Sequence, residues 1–182
     1  MDAYGSIEPI DLNAMEDTFR HLCADPNVNV QGTHWGSLIN AYGCVKKDLS
    51  KAIKVFDSIA SHQSTLASGY PLPDAVTYEA LINVFVTLRS IDLVPAYMQR
   101  LESSGVHMTA YIANLLIKGY AVAGDLERAR QVFESLEDPK QGVAGSYNHA
   151  SHVSSYSTGI NAPVYREVSH LIPSSRLWYV YL

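Results

Sequence analysis

The chain has 182 residues, is 47% hydrophobic and carries a formal net charge of −5, enough material for one ordinary globular unit or four to five helical hairpins of ~35 residues. No apolar run approaches the ~18 residues needed to span a bilayer, and the N-terminus lacks the basic, apolar, small-residue order of a signal peptide, so the chain reads as soluble with no membrane partner. The first 31 residues set Asp2, Glu8, Asp11, Glu16, Asp17 and Asp25 against Arg20 alone, which leaves residues 32–182 neutral. That balance provides no basic field and counts against strong, salt-sensitive binding to duplex DNA.

Along the chain, residues 1–31 read as a partial helical repeat. Met15, Phe19 and Leu22 fall at i, i+4 and i+7, the spacing of one helix face. Asp2-Ala3-Tyr4-Gly5 echoes Asn40-Ala41-Tyr42-Gly43, so the chain begins inside a repeat, and the natural start is expected upstream of Met1.

Residues 32–74 form the first full unit. Trp35, Leu38, Ile39 and Tyr42 sit at i, i+3, i+4 and i+7, and Ala52, Phe56 and Ile59 at i, i+4 and i+7. These predict two amphipathic helices with a turn at Val45-Lys46-Lys47, the second capped by Asp48. The stretch 60–74, with Pro71 and Pro73, is expected to be a surface insertion because proline cannot continue a helix.

Residues 75–109 repeat the pattern with Tyr78, Leu81, Ile82 and Phe85, then Val94, Met98 and Leu101. Pro95 falls in the first turn of the second helix, where a missing N–H is tolerated. Residues 110–137 repeat it again with Ala113, Leu116, Ile117 and Tyr120, then Ala129, Phe133 and Leu136. Their turn, Ala123-Gly124-Asp125-Leu126, places a glycine at the helix end and an aspartate to cap the next helix.

One register links the units: Leu81 to Leu116, Val94 to Ala129 and Met98 to Phe133 are each 35 residues apart, whereas Phe56 to Met98 is 42. A lone pair of short helices cannot bury its own apolar face, so the expected fold is an all-α solenoid of stacked antiparallel helix pairs. After Leu136 the period ends. Residues 138–182, rich in Ser, Gly, His, Asn and Tyr, are expected to form a flexible tail. Val168-Ser169 can be encoded by a splice-donor sequence, which offers translated intron as one reading of the residues that follow.

The chemistry of catalysis is missing from the pattern. There is no Gly-rich phosphate loop, no G-x-S-x-G and no H-E-x-x-H, so no enzyme activity and no cofactor are expected. Cys23 and Cys44 have no metal-ligand spacing and read as small buried hydrophobes. His149 and His152 lack carboxylate or cysteine partners at ligand spacing, and His21 beside Cys23 reads as helix surface and core; no metal site is expected.

Two helix-pair repeats share this length. The tetratricopeptide type wants a small residue after the first-helix Leu, where this chain has Ile39, Ile82 and Ile117. The stretch Pro73-Asp74-Ala75-Val76-Thr77-Tyr78-Glu79-Ala80-Leu81-Ile82 instead resembles the P-D-x-V-T-Y-N-T-L-I junction of pentatricopeptide repeats. Residues 114–129, from Asn114-Leu115-Leu116-Ile117 through Tyr120, Gly124 and Leu126 to Ala129, are similar to that family's N-T-L-I-x-x-Y-x-x-x-G-x-L-x-x-A. The resemblance covers residues 1–137.

This resemblance implies a right-handed superhelix whose first helices line a concave face, and single-stranded RNA as partner, one base per repeat, in a mitochondrial or plastid setting. It implies base-reading slots at Gly36, Glu79 and Asn114, terminal slots at Asp74 and Thr109 with a third near Ala144, and wedge slots at Thr33, Val76 and Tyr111. The departures are plain. Asn114 offers both a donor and an acceptor, Gly36 offers neither, and Glu79 is an anion facing a polyanion. Where the family favours a phosphate-meeting Lys late in the first helix, the chain has Cys44, Thr87 and Val122. A protein-binding scaffold with the same surface is the competing reading, and a cytoplasmic or nuclear location competes with the mitochondrial one.

Overall fold

The computed structural model describes residues 11–69 and 72–137, and every regular element among them is helical. The chain divides into two compact units, Met1–Tyr97 and Met98–Leu182. The echo at residues 2–5, the third terminal slot near Ala144 and the expected tail at 138–182 lie outside the described residues.

In the first unit, α1 (Leu12–Ala24) presents Met15 and Phe19 as its buried face, and Asp11 caps it by accepting from Ala14 N. Helix α2 (Gly32–Asn40) passes into a π-helical turn, Ala41–Val45, and a tight reversal leads to α3 (Leu49–Ser58). The Asp48 carboxylate accepts from Lys51 N at 2.8 Å, the cap its position predicts. Trp35, Leu38, Ile39, Tyr42, Ala52, Phe56 and Ile59 are all buried, so the two stripes meet as one hairpin core. Helix α5 (Ala75–Thr87) packs beside α2 and buries Tyr78, Leu81, Ile82 and Phe85. A ring cluster fixes the contact between repeats: Phe56 meets Tyr78 edge-on at 5.0 Å, and Tyr97 lies 5.8 Å from Phe56 and 5.1 Å from Phe85.

The insertion is more ordered than its composition suggests. A 3-10 turn, Ile59–Ser61, leads to the short helix α4 (Gln63–Ser68). His62 caps it, its Nδ1 accepting from Ser64 N at 3.2 Å, and its ring stands edge-on to Trp35 at 5.0 Å. Side-chain packing onto Trp35 thus supplies order that helical periodicity alone does not reveal. The prolines follow α4 instead of preventing it.

Helix α6 (Val94–Ser103), reached through a 3-10 turn at Ile91–Leu93, contains the boundary between the units. Pro95 is its second residue, as its missing N–H allows. In the second unit, α7 (Ala110–Val122) and α8 (Leu126–Glu137) pack together. Ala113, Leu116, Tyr120, Ala129 and Phe133 are buried, whereas Ile117 is half-buried. Gly124 takes φ 80° at the turn, a conformation that favours glycine, and Asp125 caps α8 through Arg128 N at 3.1 Å.

The three first helices end alike. A residue with positive φ, Lys47, Arg89 or Gly124, is followed by an N–H that bonds back to the last aromatic of the helix: Asp48 to Tyr42 at 3.0 Å, Ser90 to Phe85 at 2.8 Å, Asp125 to Tyr120 at 2.9 Å. The first of these loops is one residue longer than the others. The π-helical turn absorbs the extra residue, which explains why Leu38 to Phe56 is 18 residues when Leu81 to Met98 and Leu116 to Phe133 are 17.

Helix α2 approaches α5 very closely because its facing positions are glycines. A Cβ on Gly43 would overlap the Val84 side chain, and one on Gly32 would collide with the Asp74 carboxylate. At Gly36 a Cβ would stand 3.5 Å from Ala80 Cβ and 3.7 Å from Val76 O, in ordinary contact. Gly43→Ala is therefore expected to destabilise the chain by about 1–3 kcal/mol through overpacking. Val84→Ala in the same chain should relieve part of the loss, read from urea midpoints of the two single variants and the double. Arg89→Gly, which removes a side chain from a left-handed position, is expected to stabilise by about 0.5–1 kcal/mol in the same assay.

Candidate nucleic-acid interface

The implied RNA slots among the described residues lie on the first helix of each repeat or at the cap just before it. In the first unit Thr33 is exposed near the start of α2, with Gly36 buried one turn on. On α5, Val76 is 38% exposed and Glu79 is half-buried. Asp74, the terminal slot before α5, is half-buried, and its Oδ1 accepts from Thr77 N at 3.0 Å. In the second unit, Thr109 Oγ1 accepts from Ile112 N at 3.1 Å to cap α7. Tyr111 is 38% exposed and Asn114 is exposed; among the described residues no hydrogen bond claims its amide. Two of these positions therefore serve as helix caps whatever else they contact.

The α2 and α5 stripes continue into a polar cluster that slot-by-slot reading missed. Asn83 Nδ2 donates to Asn40 Oδ1 at 3.2 Å and lies 3.5 Å from Cys44 Sγ. That sulfur is 3.6 Å from Asn40 Oδ1 and 3.7 Å from Thr87 Oγ1. The signal was present in the sequence: an asparagine follows the Leu-Ile pair in both repeats, at Leu38-Ile39-Asn40 and Leu81-Ile82-Asn83. In the second unit the equivalent position is Lys118, which is half-buried. The stripe of the first unit is thus amide-rich, with no Lys or Arg on α2 or α5 and with the Asp74 and Glu79 carboxylates as its charges, and that of the second carries Lys118.

Burial pushes the Cys44 thiol above its ordinary range, opposed by the Thr87 hydroxyl and the Lys47 charge. Cys23 is raised for the same reason, opposed by its bond to Ser64. Among the described residues, no three of His, Cys, Asp and Glu converge as a metal site.

Residues 14–136 match the family model of the pentatricopeptide repeat-containing proteins. The chain belongs to the pentatricopeptide repeat family. It is 26% identical over 138 residues to pentatricopeptide repeat-containing protein 5, mitochondrial, of Schizosaccharomyces pombe, covering 75% of this chain and 10% of that protein. A pentatricopeptide repeat-containing protein of Arabidopsis thaliana is 31% identical over 80 residues, 44% of this chain and 15% of the relative. A second from that plant, named as mitochondrial, is 27% identical over 103 residues, 57% of this chain and 14% of the relative. The chain therefore spans between 10% and 15% of the length of these relatives. The pentatricopeptide repeat family is in general tied to organellar RNA binding and is typically non-catalytic. No described helix is long and apolar enough to cross a membrane.

Burial makes the thiolate less accessible at neutral pH than in a free cysteine. Both thiols are expected to react with iodoacetamide more slowly than free cysteine at pH 7.5 and to speed up as pH rises further, read by mass spectrometry of the native chain.

Proposed function

We propose that this chain binds single-stranded RNA through its first helices, one nucleotide per repeat, and serves organellar RNA maturation, stability or translation, with mitochondria as its compartment. The observation that carries this reading is Asn114, an exposed amide at the base-reading slot of a pentatricopeptide repeat, one turn from the exposed Tyr111 ring. An amide can both donate to and accept from a base edge, and an aromatic ring can stack on a base face. Glu79 fills the base-reading slot of the preceding repeat, with Val76 as its wedge. The mitochondrial compartment is supported by the names of two relatives.

The absence of Lys and Arg from α2 and α5 sets an expectation for electrostatics. Each phosphate neutralised by a Lys or Arg adds about one unit to the salt slope, and few such contacts are on offer, so the slope should be shallow. Fluorescence-anisotropy titration with single-stranded RNA pools at two salt concentrations, beside a duplex DNA control, is expected to give saturable binding that prefers single-stranded RNA. Asn114→Ala should leave far-UV circular dichroism unchanged and alter base preference. Unchanged affinity and preference in that variant would remove Asn114 from the reading face. A helical chain that binds no RNA would point to a protein partner instead.

A further inference from the structure

Cations flank the amide cluster of the first unit from the turns, not from the helices. α2, its π-helical turn and α5 contain no Lys or Arg, and the carboxylates of this stripe, Asp74 and Glu79, lie toward the head of α5. At the opposite end Lys47 follows the π-helical turn and Arg89 follows α5. The two helices run in parallel register, since Gly32 meets Asp74, Asn40 meets Asn83 and Cys44 meets Thr87, so both turns stand at the same end of the stripe. Lys47 and Arg89 are exposed, and among the described residues neither forms an ion pair. Of the two carboxylates that follow them, Asp48 and Asp92, the first is committed to capping α3. The Lys47 charge reaches back to the Cys44 thiol.

Both turns hold their cation in a strained conformation. Lys47 has φ 58° and Arg89 φ 57°, a region that disfavours any residue with a Cβ. The third repeat has Gly124 at the equivalent place and carries its cation, Lys118, on α7 itself. A cation therefore occupies the strained position in the two full repeats whose first helices lack one. The helix dipole alone does not account for this, because a cation anywhere in the last turn would answer it, and a backbone outlier of this kind points to function. We propose that Lys47 and Arg89 bind two successive phosphates of a single-stranded RNA at the far end of α2 and α5. The inference rests on the RNA-binding reading above and deepens it. A strand that sets one nucleotide on each repeat brings one phosphate to each, and each of these turns presents one cation. The carboxylates toward the head of α5 repel that backbone and the two cations draw it to the other end, beside the amides of Asn40 and Asn83 and the Thr87 hydroxyl.

The test is the salt dependence of single-stranded RNA binding, read by fluorescence anisotropy for three chains. These are the parent, the double variant Lys47→Gln/Arg89→Gln, and a charge-matched control, Arg20→Gln/Lys54→Gln, whose exposed side chains lie on α1 and α3. On a single strand each phosphate contact contributes about 0.7 to the slope of log K against log salt, so the turn variant is expected to lose about 1.4 and the control less than about 0.3. Base preference in a randomised pool should stay that of the parent, because phosphate contacts carry no sequence information. Lys47→Gly/Arg89→Gly separates binding from folding: it is expected to raise the urea midpoint by relieving the turns and to lose the same slope. A parent chain that binds RNA while the turn variants keep its slope, or while the control loses as much, overturns the proposal and leaves RNA binding standing. A folded parent chain that binds no RNA overturns both.

Discussion

The close approach of α2 to α5 is the constraint on which the first unit depends. Gly32 and Gly43 let α2 and its π-helical turn lie against Asp74, the cap of α5, and Val84 within it, and everything above that seam inherits its geometry. The Asn83 to Asn40 bond forms because the backbones are near enough for two short amides to meet. The aromatic cluster of Phe56, Tyr78, Tyr97 and Phe85 anchors the other side of the same packing. Small residues on one side of α2 and large rings beyond it set how near, and in what register, consecutive repeats lie.

Much of this was legible from residue spacing. The stripes led by Trp35, Tyr78 and Ala113 are buried with Ile117 less so, and Asp48 and Asp125 cap their helices as their positions after a turn demand. The order of the insertion was not legible, because α4 is held by the ring contact of His62 with Trp35 across 27 residues, and a helical period carries no record of such a pairing. The π-helical turn was written in the spacing as one surplus residue between Leu38 and Phe56, although the surplus alone does not say which helix absorbs it.

For the proposed RNA interface, the slots follow from the family resemblance, and their surroundings do not. Asn114, Tyr111, Val76 and Thr33 are exposed, whereas Glu79 is half-buried and Gly36 buried. That Gly36 lies beneath α5, or that the Asp74 and Thr109 side chains cap the next helix, follows from tertiary approach and from competition between the backbone and any ligand for one oxygen. The polar cluster on α2 and α5 depends likewise on how far apart two helices stand, a quantity no single helix encodes.

The short helix α4 has a consequence for how such a chain can change its length. Leu38 to Leu81 is 43 residues where Leu81 to Leu116 is 35, yet α2 and α5 still pack directly on each other. One residue of the surplus is taken up by the π-helical turn, and the rest is carried in the link between α3 and α5, where Leu66 stands 71% exposed. Codons can be gained or shed at that point without resetting the neighbouring repeats, so the link is where the gene has room to drift. For the same reason it is where an engineer would attach a dye or an affinity handle while leaving the helical register alone.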